Sequence, residues 1–216
     1  MKRRLTVVGS LMGLVGGLAY AQPSPAPPKI PVLIITGQNG HNWRGTTPLL
    51  RKILVALGAL ATNQGNVGEA VPWLEEAIGL ALRECDLVGQ VQALCYLGIV
   101  ATNRRDFLRA SAQLRRALEV NQELGDLDYF ATLFDAFAGL AAARGQYRDA
   151  LRLIGAADEI LHEVGTQLLP PIRQARREVW MNSASSALGD MAVDQLQQEG
   201  RCLDLDESVA LAFASL

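Results

Sequence analysis

The residues with the chemistry for catalysis are few and poorly placed for it. Acids stand together at Glu75-Glu76 and at Asp126 and Asp128, hydroxyls cluster at Ser183, Ser185 and Ser186, and the histidines are His41 and His162. Paired carboxylates can divide general acid and base work, and a serine becomes a nucleophile when a histidine takes its proton. Here the acids fall on amphipathic helical patterns, where such pairs form a solvated face. The serines have no G-x-S-x-G setting and no histidine nearby in sequence. Cys85, Cys95 and Cys202 are odd in number and widely spaced, with no C-x-x-C. They read as buried free thiols, and a structural zinc site is not expected. Late in a helical pattern, His162 reads as a surface residue favoured by the helix dipole. Arg104-Arg105, Arg115-Arg116 and Arg176-Arg177 are dispersed and the formal net charge is −2, so no nucleic-acid stripe is expected. These residues point away from an enzyme, with no cofactor and no metal.

The elements that could position a binding site begin after an unusual N-terminus. Lys2-Arg3-Arg4, an apolar stretch from Leu5 to Leu18 and Ala19-Tyr20-Ala21 have the three parts of a secretory signal peptide, residues 1–21. The stretch is short for a membrane span and carries four glycines, so no stable span is expected after cleavage. Residues 22–31 hold five prolines and read as an extended linker. Val32 to Thr36 looks like a short strand, Gly37 to Gly45 like a polar loop, and Thr47 like the cap of a helix with Pro48 at its first position. Residues 1–56 carry seven basic side chains and no acid, whereas residues 57–216 carry 13 arginines and all 22 acids. That break indicates two segments of different origin.

From about Arg51 to Gly165 the chain repeats itself every 40 residues. Leu57-Gly58, Leu97-Gly98 and Phe137-Ala138 recur in register, followed by Ala61, Ala101 and Ala141. Further columns are Ala70, Ala110 and Ala150; Leu74, Leu114 and Ile154; and Ala77, Ala117 and Ala157. Leu and Ala three or four residues apart share one helix face, and the small columns let two helices approach closely. Gly65-Asn66, Arg105-Asp106 and Gly145-Gln146 mark turns between the helices of each pair. Each pair must stack on its neighbours to bury its apolar face. Beyond Pro170-Pro171 the spacing predicts helices from Ile172 to Leu188, from Asp190 to Gln198 and from Leu205 to Ala214. The last has a capping box at Asp204 and Glu207. Residues 166–216 are therefore expected to form a helical C-terminal cap on three helix pairs, residues 51–165, in an all-α solenoid.

The repeat columns resemble tetratricopeptide repeats lengthened to 40 residues. With the tail from Gln195 to Ala214, they are similar to the repeat regions of bacterial ATPase-type transcriptional regulators of the LuxR/MalT-like and SARP-like groups. The resemblance covers roughly 160 residues and implies a sensor or interaction scaffold. The G-x-x-x-x-G-K-[ST] loop is absent, so nucleotide hydrolysis is not expected. A second resemblance lies upstream: Pro31 to Leu54, through Gly37-Gln38-Asn39, His41 and Trp43, looks like the opening strand, loop and helix of exported ThuA-like (trehalose utilisation) proteins. Residues 32–50 would be a fragment of that α/β fold, a β/loop stub lacking its sheet. The two resemblances meet between about Leu50 and Leu57, as in a chimera. The alternative function they imply is a truncated ThuA-like sugar-metabolism protein, or a fused gene product with no function of its own. The leader implies export to the periplasm, and the regulator resemblance implies the cytoplasm.

The regulator resemblance also implies where a partner would bind. The family's usual contact positions fall at Lys52, Val55, Ala59, Thr62 and Asn63 in the first pair and Gln92, Cys95, Ile99, Thr102 and Asn103 in the second. In the third they fall at Thr132, Asp135, Gly139, Ala142 and Ala143. Thr62-Asn63 and Thr102-Asn103 recur in register, and amide side chains can hold an extended peptide backbone. Asn at these positions can equally close the helix end. Thr62, Asn63, Gln92, Ile99, Thr102, Asn103 and Asp135 are the candidate contacts for a protein, a peptide or a small ligand in a concave groove.

Overall fold

The computed structural model describes residues 43–165 and 171–216. The expected leader, linker and strand, and the loop as far as residue 42, lie outside them. Among the described residues the secondary structure is entirely helical. The helices are α1 (Trp43–Asn63), α2 (Val67–Arg83), α3 (Leu87–Asn103), α4 (Phe107–Leu124), α5 (Leu127–Ala143), α6 (Tyr147–Glu163), α7 (Pro171–Leu188), α8 (Asp190–Arg201) and α9 (Leu205–Ala214). α1 packs on α2, α3 on α4 and α5 on α6, and α2–α3 and α4–α5 contacts join the pairs. No described helix is long and apolar enough to cross a membrane.

One boundary differs from the sequence reading. α1 starts at Trp43, so Pro48 lies inside it and Thr47 is not its cap. Pro48 is sixth in the helix, so α1 goes without the bond its N–H would make to the carbonyl four residues back, while the proline's fixed φ is already helical. α1 then runs unbroken across the region where the two resemblances meet. There Arg51, buried, pairs with Asp86 at 2.6 Å, tying the upstream segment to the start of α3.

The turns obey a stricter rule than the 40-residue columns revealed. Backbone φ is left-handed at residues 65, 85, 105, 125, 145 and 165, one position in every 20. Four of these are glycine, but Cys85 (φ 52°) and Arg105 (φ 60°) accept a conformation that costs an L residue about 1–2 kcal/mol. After most of these helices the next amide closes a six-to-one bond: Asn66 to the Ala61 carbonyl, Asp86 to Ala81, Asp106 to Ala101 and Gln146 to Ala141, at 2.8–2.9 Å. Asp86, Asp106 and Asp126 then cap the following helices by accepting from Gly89, Arg109 and Tyr129 N–H. Each such cap is worth about 1 kcal/mol.

The repeat columns are packing contacts. Ala61, Ala101 and Ala141 are buried, as are the columns headed by Ala70, Leu74 and Ala77. A Cβ on Gly58 would stand 2.6 Å from Leu74, and one on Gly98 would stand 2.5 Å from Leu114, the same contact 40 residues on. The first pair departs in one respect. Ile53, Leu57 and Leu60 of α1 are exposed, whereas Ala93, Leu97 and Val100, and then Leu133, Phe137 and Leu140, are buried at the equivalent positions. The heart of the core is α5, whose Leu133, Phe134, Phe137 and Leu140 are fully enclosed.

The last three helices close over α5 and α6. α8 crosses α6 where Gly155 meets Gly200. A Cβ on either would stand about 2 Å from backbone, 2.1 Å from the Gln197 carbonyl oxygen or 2.0 Å from that of Arg152. Beside this crossing Arg152 and Glu199 pair at 2.6 Å, and these bonds hold the Glu199 carboxyl below the usual range. The capping box at Asp204 and Glu207 is formed, and α9 packs on α5 and α6.

Candidate functional site

α7 does not simply extend the stack; it lies against the helix face expected to receive a partner. The anchor is Asp135, an acid in an otherwise apolar stretch of α5 and only 5% exposed. A buried carboxylate must be paired, and α7 supplies two guanidiniums one turn apart. Arg173 donates through Nε to one Asp135 oxygen, and Arg177 donates through Nε to the other at 2.7 Å. Arg173 also reaches the Ala131 carbonyl at 2.7 Å and the Thr132 hydroxyl at 3.2 Å. Arg177 continues to Asp158 of α6 at 2.5 Å, where Arg201 adds a longer contact. Burial alone would lower the Arg177 pKa, but Asp135 and Asp158 more than offset it and the net shift is upward. One turn further on, the Trp180 ring lies over Gly139, so close that a Cβ there would come within 2.4 Å of the ring. Ala184 continues the same α7 face into a small buried cluster with Leu151, Val193 and Leu196.

Between α3, α5 and α7 this arrangement leaves two adjoining recesses of about 160 and 330 Å³. Ile99, Ala136, Arg176 and Trp180 line both. The smaller reaches Cys95, Tyr96, Thr132 and Asp135, and the larger opens past Thr102, Asn103, Arg105, Gly139, Ala143 and Val179. Burial pushes the Cys95 thiol up to about 11 and raises Tyr96, so both groups stay protonated at neutral pH. Arg176 differs from its neighbours on α7. Its Nε is buried with no hydrogen-bond partner, a condition that costs roughly 1–3 kcal/mol for a neutral group and more for a charged one.

The seven candidate contacts divide. Ile99, Thr102, Asn103 and Asp135 come together around these recesses. Thr62, Asn63 and Gln92 do not line them. Thr62 and Thr102 spend their hydroxyl protons on the Gly58 and Gly98 carbonyls four residues back, at 2.7 and 2.9 Å. Their recurrence therefore has a role within the helix. Gln92 donates to the Tyr129 hydroxyl at 2.5 Å, and the Asn63 side-chain oxygen is buried without a partner. Asn103 is exposed at the mouth of the larger recess.

Other chemically capable residues are engaged structurally. Glu75 pairs with Arg109 at 2.8 Å, Ser185 bonds Asp190, and Ser183 and Ser186 bond carbonyls in their own helix. His162 is exposed in the last turn of α6. Cys95 is a buried free thiol as expected, but Cys85 and Cys202 are exposed. The first occupies a left-handed turn and the second the C-cap of α8, and neither place offers a core. Among the described residues no cluster of three or more His, Cys, Asp or Glu could hold a metal.

Sequence reasoning passed over α7 as part of this site. Two signals were present: Arg173, Arg177, Trp180 and Ala184 share one helix face, and Asp135 stands alone among apolar residues. No family model, curated protein or solved structure matches the chain.

Proposed function

We propose that the chain is a non-enzymatic interaction or ligand-sensing module built as a tetratricopeptide-like α-solenoid, and that partners bind on the face formed by α3 and α5. The observation that carries this reading is α7 itself. The chain's own helix is seated on that face through Asp135, Thr132 and Gly139, three of the positions at which the regulator resemblance puts a partner. A face that receives one amphipathic helix, anchored by a buried carboxylate and a glycine-floored aromatic contact, has the chemistry to receive another. α7 then plays the part of an internal occupant, and sensing consists of its exchange with, or adjustment to, an external one.

A labelled synthetic peptide of residues 171–188 provides the test, with binding followed by fluorescence anisotropy. It should bind the full chain carrying Arg173→Ala and Arg177→Ala, in which the internal helix is loosened. It should bind unaltered chain at least about tenfold more weakly, because the internal helix competes. Adding Asp135→Ala to the loosened chain should remove binding. No binding to the loosened chain, with its helical circular dichroism intact, refutes the reading.

A further inference from the structure

The larger recess beside α7 is more specific than the face as a whole. Its charged lining consists of Arg105 and Arg176, with no acid facing it. Arg173 and Arg177 are already neutralised by Asp135 and Asp158, which leaves Arg176 without a counterion. Its Nε is buried and unpartnered, and the side chain lines both recesses. Apolar groups form the rest of the wall, chiefly Ile99, the Trp180 ring and exposed Val179, and the Asn103 amide stands at the mouth. At about 330 Å³ the space lies at the small end of ligand cavities, roughly 300–1,000 Å³. A bare inorganic anion would leave the apolar wall unused, and a neutral hydrocarbon would leave Arg176 unpaired.

We infer that the larger recess between α3, α5 and α7 is a binding site for a small organic carboxylate with a flat apolar body. The carboxylate accepts from Arg176, with Arg105 and Asn103 at the rim, and the body lies against Trp180 and Ile99. Guanidinium and carboxylate match in shape and charge, and a planar body stacks well on an indole. This inference rests on the α3–α5 face being the binding face and adds the class of ligand.

The experiment is calorimetric titration of the full chain with 2-naphthoate, with neutral 2-naphthol and with inorganic phosphate. The expected result is binding of 2-naphthoate at least about tenfold tighter than either of the others, the scale of one charge-assisted hydrogen bond. Arg176→Gln should abolish the preference for 2-naphthoate over 2-naphthol, and Arg176→Lys should keep much of it. Since Arg176 makes no bond within the protein, neither substitution should lower the melting temperature. Equal binding of 2-naphthoate and 2-naphthol would overturn the carboxylate assignment while leaving the face as a binding face. Phosphate binding as tightly as 2-naphthoate would overturn the apolar half. Binding of none of the three would overturn the inference whole, and the α7 peptide would still decide on the face.

Discussion

Asp135→Ala is the most informative substitution in the molecule, because this one buried side chain accepts from both α7 guanidiniums that meet α5. Asp135 is 5% exposed and Arg177 9%, so removing the carboxylate leaves two poorly solvated guanidiniums short of an acceptor. Breaking a buried pair in this way costs about 3–5 kcal/mol. The low end applies, since Asp158 still accepts from Arg177 and Arg173 keeps the Ala131 carbonyl and the Thr132 hydroxyl. For about 170 residues in the helical body, 3 kcal/mol lowers the melting temperature by roughly 6–12 °C if the whole fold bears the loss. It need not, because α7 can leave α5 while the helix pairs stay assembled. Trp180 lies on α7 and the other tryptophans, Trp43 and Trp73, lie on α1 and α2. In a Trp43→Phe, Trp73→Phe background, fluorescence therefore follows α7 alone while far-ultraviolet circular dichroism follows all the helices. Urea titration of the Asp135→Ala chain should show the fluorescence transition first, ahead of the loss of helicity. A variant within 0.5 kcal/mol of the parent, with the two transitions coincident, would refute the claim that this carboxylate anchors the helix.

Three further substitutions test other parts of the structure. Gly200→Ala should destabilise by about 2 kcal/mol or more in chemical denaturation, because its Cβ meets the backbone of α6 at 2.0 Å. Gly98→Ala, which meets the Leu114 side chain and no backbone, should cost less. Cys95 gives a pH signature: burial, chiefly, raises its thiol from 9.0 to about 11, so the folded state holds this proton more tightly than the unfolded state. Its contribution is complete below pH 9 and is lost as pH rises through about 11. Melting temperature should accordingly fall more steeply across that interval in the parent than in Cys95→Ala; parallel slopes would contradict the burial of this thiol.

Much of the fold was legible because the helix pairs share buried columns, and the first two make the same close contact. Gly58 against Leu74 recurs as Gly98 against Leu114, and a contact of that kind restricts both partners to a few residue types. The 20-residue rhythm was harder to see, because Cys85 and Arg105 hold left-handed positions where glycine would have given them away. The start of α1 was misplaced because Pro48 reads as a first helical residue, and nothing local to it shows the turn that precedes it. At the site, the regulator resemblance named Ile99 and Asp135 among its contact positions, and both line the smaller recess. Their companions Arg173, Arg176 and Trp180 come from a helix about 40 residues and more away in sequence, and no periodicity within α5 specifies which later helix will neutralise its buried acid.

The exposed apolar edge of α1 has a consequence for how the molecule comes apart. In a chain of units that touch only their neighbours, the end unit is held by one interface and the interior units by two. α1 and α2 are bound to the rest chiefly through α3, with the exposed Glu75–Arg109 pair reaching α4, whereas α5 is enclosed by α3, α4, α6, α7 and α9. Opening therefore starts at the α1–α2 end and runs inward like a zipper, with α5 and α6 the last to release their amides to solvent. Amide hydrogens along α1 should exchange through this fraying at far less than the global free energy, and those of α5 should report the stability of the whole.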